Sequence, residues 1–69
     1  MEFTRHARNE MRLYSISRAE VEAVVDSPLT SSSDRRGNPR LTGPANDRII
    51  VVVLARDDPS LVITTFERS

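Results

Sequence analysis

Phe3, Ala7, Met11 and Tyr14 recur at intervals of four, four and three, which lines one stripe of an α-helix and predicts a helix over Thr4 to Leu13. The other face carries Glu2, Arg5, Arg8, Asn9 and Arg12. Ser17-Arg18-Ala19-Glu20 has the form of a capping box, in which the serine hydroxyl and the glutamate three residues on satisfy the free amides of a helix start. A second helix is expected from there to about Asp26, with Val21, Val24 and Val25 on one side and Ile16 placed to staple onto its first turn. Pro28 blocks continuation. From Ser27 to Asp47 the chain is rich in Ser, Gly, Pro, Asn and Arg, which reads as a mobile loop with at most one short edge strand around Arg40 to Thr42.

Between Arg48 and Ala55 the alternation vanishes: Ile49, Val51 and Val53 on one face and Ile50, Val52 and Leu54 on the other are all apolar. Such a strand is covered on both sides and therefore central. Arg56 to Ser60 reads as a tight turn, and Leu61 to Phe66 as a strand returning antiparallel, because a parallel crossover needs a dozen or more residues. The expected architecture is α+β, with two N-terminal helices packed on an antiparallel β-meander of about three strands (ααβββ) in a single domain over residues 1–69. Its core is expected from Phe3, Ala7, Met11, Val21, Val24 and Val25, with Ile49 to Leu54, Leu61 and Ile63 from the sheet. Two short helices cover only one face of such a sheet. The other face therefore predicts a homodimer or a partner complex through the sheet.

At 69 residues and without cysteine, the chain has neither a disulfide staple nor a thiolate metal site to supplement a small core. The longest apolar run, Ile49 to Ala55, has strand length, so no membrane span is expected. Nor does the N-terminus have the basic start and apolar stretch of a secretory signal, and the expected compartment is the cytoplasm. Ten basic and ten acidic residues leave a formal charge of zero, which argues against broad attraction to duplex nucleic acid. Every basic residue is arginine, whose planar fork suits bidentate phosphate contacts, although a GC-rich coding sequence gives the same usage.

His6 is the one side chain of a type that ordinarily titrates near neutrality, and it lies one turn from Glu2 and one turn from Glu10, either of which could orient its ring. The bland alternative is a histidine on a helix surface. The aspartates show no triad order, Gly37 and Gly43 are isolated, and no phosphate-cradling loop precedes a helix, so no cofactor or metal is implied. RNA cleavage needs few protein groups, because the substrate's own 2′-hydroxyl can be the nucleophile. A base or acid and cations at the phosphate suffice, and His6 with Arg8, Arg12, Arg40, Arg48 or Arg56 could supply them. For each arginine the alternative is a solvated face.

Phe3-Thr4-Arg5-His6-Ala7-Arg8, then Met11-Arg12, Tyr14-Ser15-Ile16-Ser17 and Glu20-Val21-Glu22, followed by Ile49 to Leu54 and Ile63-Thr64, resembles over nearly the whole chain a small prokaryotic domain-of-unknown-function family. That family is grouped with the RelE-like and BrnT-like ribonuclease toxins. The resemblance implies His6 as the catalytic or RNA-contacting group, with Arg12, Arg48 and Thr64 as matching polar positions. Many members carry Arg-Gly where this chain has Tyr14-Ser15, and the segment from Ser27 to Asp47 matches only loosely. Two functions are therefore expected. One is a metal-independent, cyclising endoribonuclease toxin with RNA as substrate and an antitoxin as partner. The other is a non-catalytic interaction module on the same scaffold.

Overall fold

The structure, a computed structural model, describes residues 1–68. A two-residue strand β1 (Glu2–Phe3) leads into helices α1 (Arg5–Tyr14) and α2 (Arg18–Asp26), followed by strands β2 (Thr30–Ser33), β3 (Pro39–Ala45), β4 (Arg48–Ala55) and β5 (Asp58–Arg68). Both helices fall where periodicity and capping place them. Thr4 caps α1 by accepting from the Ala7 amide, and its hydroxyl also donates to the Ile63 carbonyl at 2.7 Å, which ties the helix start to the sheet. Ser17 and Glu20 form the full capping box of α2. Ser15 closes α1 in a left-handed conformation, φ 54°, a geometry that favours glycine.

The sheet departs from expectation. It has five strands in the order β1-β5-β4-β3-β2 and is mixed, not an antiparallel meander of about three, because β1 runs parallel to β5. The segment expected as a loop holds the extra strand β2 and also β3, which extends the strand expected around Arg40 to Thr42 and lies inside the sheet, not at its edge. Its polarity did not prevent them, since β2 (Thr-Ser-Ser-Ser) is exposed throughout and is held by backbone pairing to β3 alone. Two turns set the pairings of β3, the first with β2 and the second with β4. Asp34 accepts from the amides of Arg36 and Asn38 while Gly37 takes φ 83°, and Asn46 and Asp47 take φ 51° and 68°, as a two-residue hairpin with a type I′ twist requires. Pro44 fits β3 because its nitrogen faces the side where β2 has already ended.

β5 is longer than expected and bulged opposite Val53, Leu54 and Ala55. The bulge changes the register, so Val62, rather than Leu61 or Ile63, is the fully buried residue of its N-terminal half. Helices pack on one face only, over Ile50, Val52, Leu54, Val62 and Ala45, together with Ala7, Ile16, Val21 and Val24. Phe3, Met11 and Val25 flank this core and are only partly buried. On the opposite face Val51 and Val53 are 0% and 7% exposed within the single chain, beside the partly buried Phe66, whose ring lies 5.8 Å from the Arg40 guanidinium. Among the described residues no helix is long and apolar enough to cross a membrane.

Candidate functional site

α1 turns Ala7 inward and leaves Arg5, His6, Arg8, Asn9 and Arg12 on its exposed side. Arg5, Arg8 and Arg12 follow one another at intervals of three and four, which makes a ridge with one cation per turn of about 5.4 Å. Among the described residues none of the three has a carboxylate within 4.0 Å. The first turn holds no acidic residue, so Arg5 and Arg8 reinforce the positive pole of the helix, while Arg12, in the last turn, offsets the negative pole. His6 flanks the ridge with its side chain 64% exposed, and its Nε2 lies 3.9 Å from Glu10 Oε1. That contact is an ion pair only when the imidazole is protonated, and it is too long for a hydrogen bond.

Arg48 is placed elsewhere and is used fully. Its Nη1 donates to Tyr14 O at 2.7 Å and Glu67 Oε1 at 3.1 Å, and its Nη2 donates to Ser15 O at 2.6 Å and Glu20 Oε1 at 2.8 Å. One guanidinium thereby joins the end of α1, the start of α2, β4 and β5. Asn46 adds a bond to the other oxygen of Glu20, at 3.0 Å. The Arg48 hydrogen bond, followed by the Ser17 amide, holds the Glu20 carboxyl at about 2, well below its ordinary 4.5, even though burial pushes it up. Glu20, which sequence reasoning assigned only to a helix cap, is thus a buried ion-pair partner, and nothing in local spacing links it to a strand that begins 28 residues later.

Thr64 pairs with Val53 and therefore lies on the sheet face turned away from the helices. The expected set accordingly divides: His6, Arg8 and Arg12 share α1, Arg48 is committed to the fold, and Thr64 stands across the sheet from them. The open face also carries Arg40 and Arg68, and a shallow cavity of about 280 Å³ lined by Leu29, Thr30, Thr42, Ile49 and Arg68. Among the described residues no three His, Cys, Asp or Glu side chains gather as metal ligands.

Residues 3–67 match the model of a family described as a domain of unknown function, DUF4258. No curated protein and no solved structure matches the chain.

Proposed function

We propose, from the premise that this chain belongs to the DUF4258 family, that it binds single-stranded RNA along the exposed side of α1 and cleaves it without a metal ion, as a toxin restrained by an antitoxin. The observation that carries this reading is the unpaired ridge Arg5, Arg8 and Arg12 beside an exposed His6. Unpaired arginines along one helix face offer successive phosphates a bidentate partner each, and the helix pole favours the same anions. Arg5 belongs to this ridge, whereas Arg48 lies on β4 and is committed to the fold.

In the reaction the His6 imidazole accepts the 2′-hydroxyl proton and the 2′-oxygen attacks the neighbouring phosphorus. The 5′-oxygen leaves with a proton from water, giving a 2′,3′-cyclic phosphate, while the arginines stabilise the charge that develops on the phosphoryl oxygens. Glu10, one turn away, places a carboxylate oxygen 3.9 Å from the imidazole Nε2.

One observation favours the second reading, a non-catalytic interaction module: among the described residues no hydrogen bond orients His6, and its neighbour Glu10 stands 3.9 Å away, too far to bond it. Induction in bacteria separates the two. Growth arrest by the chain that is lost in His6→Ala and in the double variant Arg8→Ala/Arg12→Ala supports the ribonuclease; arrest undiminished in His6→Ala, or no arrest at all, supports the module.

A further inference from the structure

We infer that the sheet face opposite the helices is a docking surface for an acidic protein segment carrying an apolar anchor residue, with the cavity beneath Leu29 taking the anchor and Arg40 and Arg68 taking the carboxylates. This inference is independent of RNA binding along α1. Strands β2, β3 and β4 contain no carboxylate at all. In β5, Glu67 pairs with Ile50 on the helix side, where Arg48 holds it, and Asp58 stands at the β4–β5 turn, at the far end of the strand from Arg68. Among the described residues neither Arg40 nor Arg68 has a carboxylate within 4.0 Å. The face is therefore positive, although the chain as a whole is neutral.

Its cavity, about 280 Å³, is lined by Leu29 and Ile49 beside Thr30, Thr42 and Arg68, and has room for a leucine- or isoleucine-sized side chain. Leu29 at its rim is 68% exposed and so is open to contact from a partner, beside the partly buried Ile49. Arg68 lines the same cavity, and register places Arg40 opposite Val53, four residues along β4 from Ile49, the partner of Arg68. An anchor seated in the cavity thus has one cation at its side and another further along the sheet. Charge argues against the other occupants. A second copy would bring the same arginines face to face. A nucleic acid would meet only two arginines here, opposite Val53 and Ile49, against the three at successive turns of α1.

A display library of short random peptides, selected against the purified protein, tests the inference. Enriched peptides are expected to combine Asp or Glu with a Leu, Ile, Val, Met or Phe, and their affinity should fall about tenfold or more in Arg68→Glu and in Leu29→Asp. Leu13→Asp, at a 72% exposed position on α1, should bind them unchanged. Four results would overturn the inference: no enrichment; enriched peptides without acidic residues; displacement of the peptide by an oligouridine RNA, which would make the face a nucleic-acid surface; or self-association in sedimentation that Leu29→Asp abolishes, which would make it a dimer interface.

Discussion

Arg48 ties both helices and β5 to β4, because its donors close α1, hold the α2 cap and reach β5 together. Arg48→Ala should cost about 3 kcal/mol, since it leaves the buried Glu20 carboxylate without its cation, and urea denaturation will measure this. An unchanged midpoint would show that the network is dispensable. The same pair sets the acid limit of the fold. Glu20 is held at about 2 against an ordinary 4.5, so its contribution is complete above pH 4.5 and is lost as pH falls towards 2. Glu20→Gln should flatten the stability profile over that interval. Sequence could not assign Arg48 this role: its partners Tyr14, Ser15, Glu20 and Glu67 are far away along the chain, and only the folded register brings them together. His6, by contrast, was legible as the one imidazole, and its exposure follows from its place opposite the Ala7 stripe.

Elements whose pattern is intrinsic were legible, and elements that exist through pairing were not. α1 follows from the Ala7–Met11–Tyr14 spacing, α2 from its capping box, and β4 from a run of β-branched residues. β2 has no apolar residue to signal it, and of β3, which contains a glycine and two prolines, only Arg40 to Thr42 was expected, as an edge strand. Their signals lay in the turns, in Asp34 to Asn38 and above all in Asn46-Asp47, whose two positive φ values give the hairpin its twist. The bulges of β5 were hidden for another reason: they arise where β5 pairs with β4 on one side and β1 on the other. Asp47 pays for its left-handed conformation, φ 68°. Asp47→Gly should therefore stabilise the protein by about 0.5–1 kcal/mol, seen as a higher thermal midpoint. A lower midpoint would mean that the aspartate makes a compensating contact in the turn.

Over the whole molecule a formal charge of zero conceals segregation. α1 has three arginines against one glutamate, the strands β2 to β4 have no acid, and α2 carries Glu20, Glu22 and Asp26. Net charge alone does not decide attraction to nucleic acid, because a phosphate meets a local face. The most direct measurement is digestion of an end-labelled, unstructured RNA by the purified protein in the presence of a metal chelator, with analysis of the product ends. The account predicts cleavage that survives the chelator, ends in 2′,3′-cyclic phosphate, drops about 100-fold or more in His6→Ala, and needs higher protein concentration in Arg8→Ala/Arg12→Ala. RNA left intact, or cleavage that His6→Ala leaves undiminished, would contradict it.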